Sequence, residues 1–129
     1  MRTTPENIRE LLPSQIFVFG SNLAGRHGAG AALQAYRGFG AEYGVGEGLT
    51  GRCYAFPTLD AQFRQRATHE LIASRNRLYA CCLKNLDKRF LLTKVGCGLG
   101  GYPEEYMRAF FTYAENHGIA NLILPEDWR

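Results

Sequence analysis

A chain of 129 residues with 46% hydrophobic and 21% charged residues has the make-up of one ordinary globular domain, residues 1–129, and not of a disordered or fibrous chain. Its formal net charge of +3 is too small to decide for or against a nucleic-acid partner. No apolar run approaches the length that crosses a bilayer, and Met1 to Glu6 lacks the apolar core of a secretory signal, so a soluble cytoplasmic protein with no membrane partner is expected.

In chain order, Thr4-Pro5-Glu6 offers a cap and a first-turn proline, and Ile8, Leu11 and Leu12 an apolar stripe, which predicts a short helix ended by Pro13. Ile16-Phe17-Val18-Phe19 is apolar without alternation, as in a strand buried on both faces, and Gly20 is expected to stop it. A helix is predicted over Ala29 to Tyr36. The glycine-rich stretch Gly38 to Gly51 reads as a long loop with room for a short strand near Val45. Cys53 to Phe56 reads as a strand ended by Pro57. A helix over Thr68 to Asn85 would bury Leu71, Ile72, Leu78, Tyr79, Cys82, Leu83 and Leu86. Phe90 to Val95 reads as a strand running into Gly96. Pro103-Glu104-Glu105 opens a further helix with a stripe of Tyr106, Met107, Phe110, Phe111 and Ala114, and Gly118 is a natural C-terminal cap. Leu122 to Leu124 closes the chain as a strand. This alternation predicts an α/β fold, with helices on both faces of a central, mostly parallel sheet.

The four cysteines include an adjacent pair, Cys81 and Cys82, and no Cys-x-x-Cys spacing, so buried reduced thiols are expected and no metal site. Arg64, Arg66, Arg75, Arg77, Lys84, Lys88 and Arg89 gather around the Thr68 helix. They read as a solvated face or, alternatively, as a surface for nucleic acid or another anion.

Two glycine-rich segments each follow a strand and precede a helix. The first runs Gly20-Ser21-Asn22-Leu23-Ala24-Gly25-Arg26-His27-Gly28-Ala29-Gly30-Ala31-Ala32, and the second Gly96-Cys97-Gly98-Leu99-Gly100-Gly101-Tyr102-Pro103. Small residues let a ligand reach the backbone, and N–H groups at a helix start attract anions. Glycine at Gly96, Gly98, Gly100 and Gly101 carries an entropic cost that a purely structural loop would avoid. Neither segment is a Walker A loop, so each alone is weak; the pair, at the carboxyl ends of strands, predicts one anion site.

These segments resemble those of the macro domain, a fold that binds ADP-ribose and related NAD-derived metabolites. Ser21-Asn22-Leu23-Ala24 and Gly28-Ala29-Gly30-Ala31-Ala32 stand where that family has an Asn-containing strand end and a glycine-rich helix start. Val95-Gly96-Cys97-Gly98-Leu99-Gly100-Gly101-Tyr102-Pro103 is similar to its Gly-x-Gly-Gly-Tyr-Pro loop. The resemblance runs from Ile16 onward and implies a three-layer α/β/α macro-like sandwich. It implies that the Gly28 to Ala31 backbone holds one phosphate and the Gly98 to Gly101 backbone the other, with Asn22 on the distal ribose and Tyr102 packed near that sugar. Gly20, Ser21, Gly96, Cys97 and Leu99 would complete the site. The chain departs from the family in lacking its early adenine-reading aspartate, its Asn-Ala-Ala-Asn form and the first-loop aspartate of some hydrolytic members, which marks a divergent member.

Three functions stay open at this level. An ADP-ribosyl hydrolase or ADP-ribose phosphatase would take acid and base from His27, Asp60 or Glu47. His27 stands at a helix start that favours a neutral imidazole, Asp60 follows the second strand, and Glu47 sits in a segment that could act as a lid. A binding module would hold the nucleotide, free or on an ADP-ribosylated protein or nucleic acid, without turnover. An interaction domain would use the basic helix and leave the loops structural. Cys97 could carry a stabilised thiolate or simply fill space, and His69 and His117 are expected at the surface or core edge. No cofactor is implied.

Overall fold

The computed structural model describes residues 3–116 and 118–128, with the side chains of 113–116 left out of account, so the expectations for Ala114 and His117 lie outside the described residues. The architecture is a three-layer α/β/α arrangement around a mixed, mostly parallel sheet. The strands β1 (Gln15–Asn22), β2 (Gly48–Thr50), β3 (Cys53–Leu59), β4 (Arg89–Leu92) and β5 (Leu122–Ile123) lie in the order β2-β3-β1-β4-β5. Only β2, at one edge, runs antiparallel to its neighbour. The helices are α1 (Gly30–Gly38), α2 (Thr68–Lys84) and α3 (Glu104–Asn116).

The absence of alternation in β1 has a direct counterpart in the core. Ile16 and Val18 pack on one face with Leu71, Leu78 and Cys82 of α2 and Met107, Phe110 and Phe111 of α3. Phe17 and Phe19 pack on the other with Ala32 and Ala35 of α1. Burial on both faces is what a central parallel strand requires. It also means that α1 and α3, the helices entered from β1 and β4, lie on opposite faces. Because β1 and β4 are neighbours, the chain parts above and below the sheet at their carboxyl ends, and a crevice opens there.

The predicted N-terminal helix does not form. Thr4 precedes a proline, which biases it toward an extended backbone, and it bridges to Pro125 instead, with its N–H on the Leu124 carbonyl at 2.7 Å and its hydroxyl on the Ile123 carbonyl at 2.6 Å. Ile8 and Leu11 are buried but Leu12, the third residue of the expected stripe, is exposed, and the strap's carbonyls are taken by other elements. Gln34 donates to Ile8, and Arg52 to Leu11 at 2.7 Å and Leu12 at 3.1 Å. So short a helix is marginal in isolation, and these partners outcompete it.

Other boundaries move for local reasons. Neither Gly20 nor Pro57 stops its strand. Pro57 lies beyond Ala55, where β2 stops pairing, so its missing N–H costs β2 no bond, and its carbonyl accepts from Arg66 at 2.7 Å. The short strand in the glycine stretch is Gly48–Thr50 rather than near Val45. β4 ends at Leu92, three residues before the expected Val95. On α2 Leu83 is exposed, as is Leu86 just beyond the helix, while Ser74 and Arg75 take buried positions. The Arg75 guanidinium lies 4.5 Å from the Phe110 ring centre and donates to the Phe110 carbonyl at 2.8 Å. Gly118 follows α3 with φ of 73°, the left-handed conformation of a capping glycine. All four cysteines are free thiols, and burial pushes Cys53 and Cys82 up to about 12, so both are protonated at neutral pH.

Candidate functional site

A cleft of about 680 Å³ occupies the carboxyl ends of β1, β3 and β4, within the size range of small-molecule sites. Gly20, Ser21, Asn22, Gly28, Ala29, Gly30 and Ala31 line it from the first glycine segment, and Gly96, Gly98, Leu99 and Gly100 from the second. The two segments meet at Gly20, where a Cβ would come within 3.1 Å of the Gly96 nitrogen. Gly20 is therefore glycine because the second loop's backbone lies against β1.

Side-chain bonds hold the first segment. Ser21, buried, donates from Oγ to the Gly46 carbonyl. Asn22 accepts from the Arg26 N–H at 3.1 Å and donates to the Arg26 carbonyl at 2.9 Å, closing the turn that leads to α1. The helix then starts with no side-chain cap and no acidic residue in its first turn. The N–H groups of Gly30, Ala31 and Ala32 are consequently available to an anion.

The second segment is shaped from behind. Tyr102 is buried; its hydroxyl donates to the Thr58 carbonyl at 2.7 Å and accepts from the Arg66 N–H at 2.9 Å. Burial holds that phenol above its ordinary range. Gly96 takes φ of 77°, and a Cβ there would meet Tyr102 Cδ2 at 2.9 Å. The N–H groups of Gly98, Leu99 and Gly100 have no acceptor among the described residues. Tyr102, Cys97 and Gly101 do not line the cleft. The expectation that Tyr102 packs beside the sugar is thus corrected: it is a strut between the loop and β3. Cys97 is half-buried and burial raises its thiol, so it carries no stabilised thiolate.

The three acid–base candidates are not brought together. His27 is 1% exposed, its Nε2 lies 3.0 Å from the Glu42 carbonyl, and its ring sits edge-on between Phe19 and Tyr43. It is a core histidine rather than a loop base, and its Nδ1 is buried without a hydrogen-bond partner among the described residues. His27→Ala is expected to act through stability, lowering the unfolding free energy by about 2 kcal/mol in urea titrations by emptying that space. Asp60 closes a turn, accepting from the N–H groups of Gln62 at 2.9 Å and Arg64 at 3.0 Å. The Arg64 backbone bond is the main cause that holds its carboxyl below the usual range. Glu47 forms a two-bond pair with Arg77 at 2.9 and 3.1 Å. Its segment packs on the first glycine segment: the Gly44 N–H bonds the Gly25 carbonyl at 2.8 Å, and a Cβ on Gly46 would lie 2.4 Å from the Asn22 oxygen.

The sequence reading missed several lining residues: Arg26, Ala32, Tyr43, Thr58, Leu59, Phe63, Thr93, Lys94 and Val95. Arg26 is part of the first segment and its charge was a visible signal. Tyr43 and Phe63 come from turns whose positions depend on tertiary contacts. Of the two lining cations, Lys94 is held between Asp127 at 2.7 Å and Glu104 at 2.9 Å, which raises it above its ordinary range. Among the described residues, Arg26 is in no ion pair, and no carboxylate, imidazole or thiol lines the cleft.

Among the described residues no three His, Cys, Asp or Glu side chains are placed to hold a metal ion, and no helix is long and apolar enough to cross a membrane. No protein-family model, curated protein or solved structure matches the chain significantly.

Proposed function

We propose that this protein is a binding module for ADP-ribose or a related NAD-derived nucleotide, held by its diphosphate between the two glycine segments. The observation that carries the reading is a pair of glycines. Gly28 and Gly98 line the cleft, neither has a positive φ, and a Cβ on either would meet nothing within 4 Å. Neither backbone strain nor packing explains glycine there, whereas close approach of a ligand to the chain does. Each lies beside N–H groups without acceptors, at the start of α1 and along Gly98 to Gly100. Those donors, with Arg26, give the cleft its anion character.

Binding without turnover is favoured over hydrolysis, because His27, Asp60 and Glu47 are committed elsewhere, Lys94 is held between two carboxylates, and among the described residues the lining holds no carboxylate, imidazole or thiol to act as a base. The nucleic-acid reading loses support because Arg64, Arg66, Arg75 and Arg77 bond within the chain.

Titration calorimetry with ADP-ribose, NAD, ATP and inorganic phosphate tests the proposal. Saturable heat is expected with ADP-ribose and less with phosphate, and no heat with any of the four overturns it. Incubation with ADP-ribosylated protein should give binding but no release of ADP-ribose; steady release would make the protein a hydrolase instead.

A further inference from the structure

Among the described residues Phe63 is the one non-glycine residue with a positive φ, 62°. That conformation strains a residue with a Cβ, and a bulky aromatic is among the rarest occupants. Nor is the strain offset by burial, since the side chain is 49% exposed. Glycine or asparagine would make the same turn without difficulty.

The turn is over-determined by its surroundings. Besides the two N–H bonds to its carboxylate, Asp60 accepts from the Phe63 N–H on its carbonyl at 3.1 Å and donates its own N–H to the Arg64 carbonyl at 2.8 Å. A bridge between Leu59 and Gln65 closes the base. Gln65 then donates from Nε2 to the Gly100 carbonyl at 2.9 Å, which ties the turn to the second glycine segment. An exposed ring is thereby fixed relative to the backbone donors of Gly98 to Gly100, and it lines the same cleft. The Arg26 guanidinium lies 5.9 Å from its centre.

Strain retained in an exposed, cleft-lining residue is explained when the position serves a ligand. We propose that Phe63 is the stacking platform for a planar aromatic ring of the ligand, and that Asp60 is a positioning residue that holds it there. The inference rests on the nucleotide reading and adds to it a requirement for a base or another aromatic heterocycle. Tyr43 is the contrasting case. Its ring also lines the cleft, but contacts with His27 and Tyr36, at 5.8 and 5.7 Å between centres, already set its orientation.

The test compares ADP-ribose with ribose 5-phosphate and inorganic pyrophosphate on wild type, Phe63→Ala, Phe63→Gly, Phe63→Trp and Asp60→Ala. Removing a stacking ring should weaken ADP-ribose by roughly 10- to 100-fold in Phe63→Ala and leave pyrophosphate within about twofold. Phe63→Gly should lose the same affinity while its Tm rises by about 3 °C, because glycine relieves the strained φ. Phe63→Trp should keep affinity and be quenched by ADP-ribose but not by ribose 5-phosphate, against a quiet background from the single native tryptophan, the buried Trp128. Asp60→Ala should weaken ADP-ribose and spare pyrophosphate, and Asp60→Asn, which keeps the accepting oxygen, should restore it.

Unchanged ADP-ribose affinity in Phe63→Ala overturns the stacking role and leaves the nucleotide reading standing. Equal losses for ADP-ribose and pyrophosphate overturn it too, since the ring would then only support the loop. Wild-type protein that binds pyrophosphate with no preference for ADP-ribose overturns the ring requirement alone. Wild-type protein that binds none of the three overturns the nucleotide reading and this inference together.

Discussion

Gly98→Asp is expected to fold with an unchanged Tm and to bind ADP-ribose at least about a hundredfold more weakly. A Cβ at Gly98 meets nothing within 4 Å, and the position is not in the left-handed region, so the chain can accept a side chain there. A carboxylate placed beside a diphosphate is repelled by about 4 kcal/mol per charge pair at 4 Å and an effective dielectric of 20, more than a hundredfold change requires. Gly98→Ala separates charge from bulk, since it adds one methyl and should weaken binding less. Gly100 would be a poorer choice, because its Cβ would fall 2.8 Å from the Gly96 oxygen and disturb the loop itself. Calorimetry with a thermal melt on the same samples gives both readouts. Full affinity in a folded Gly98→Asp protein would remove the second glycine segment from the site.

The layers of this fold were legible because hydrophobic pattern acts locally. The unbroken run Ile16 to Phe19 could only belong to a strand covered on both faces, and it is. Termini were harder. Thr4-Pro5 carries both a helix-start signal and the pre-proline bias toward extended backbone, and the bonds from Thr4 to Ile123 and Leu124, more than a hundred residues away, decide between them. The two glycine segments were visible as sequence, but glycine has several uses that one letter does not separate. Gly20 and Gly96 are glycine for packing, Gly30 for a φ of 59°, and Gly28 and Gly98 for neither. Only the last pair speaks of a ligand. His27, Asp60 and Glu47 misled because residue type shows what chemistry is possible and not what already occupies the group. A carbonyl, two backbone N–H groups and an arginine take the three of them. Phe63 gave no signal, since its importance lies in a dihedral angle set by the turn around Asp60.

A large loss of stability is expected from Gly25→Ala, a change of one methyl in the first glycine segment. Gly25 sits at φ of 69°, where a side chain is strained, and its Cβ would lie 2.2 Å from the Gly44 carbonyl carbon and 2.6 Å from that residue's Cα and oxygen. Backbone cannot swing aside as the tip of a side chain can. The 42–46 segment is also pinned on both sides: the Gly44 N–H is on the Gly25 carbonyl, the Gly46 carbonyl takes the Ser21 hydroxyl, and the Glu42 carbonyl takes His27. To admit the methyl, the two segments must part and these bonds must lengthen together. A cost of at least about 3 kcal/mol follows, or a fall in Tm on the order of 10 °C. Two neighbours divide the causes. Gly44→Ala keeps a positive φ of 97° but has open space, so it should cost about 1 kcal/mol. Gly28→Ala has neither problem and should stay within about 0.5 kcal/mol of wild type. The order Gly25, Gly44, Gly28 in thermal melts would place the packing of the two segments ahead of glycine's flexibility as the reason this region is so rich in it. Equal effects at Gly25 and Gly44 with little at Gly28 would point to the backbone angle instead, and equal effects at all three to the unfolded chain. Because the same packing holds Ser21 and Asn22 at the cleft wall, Gly25→Ala should lose ligand affinity along with stability, whereas Gly98→Asp loses affinity alone.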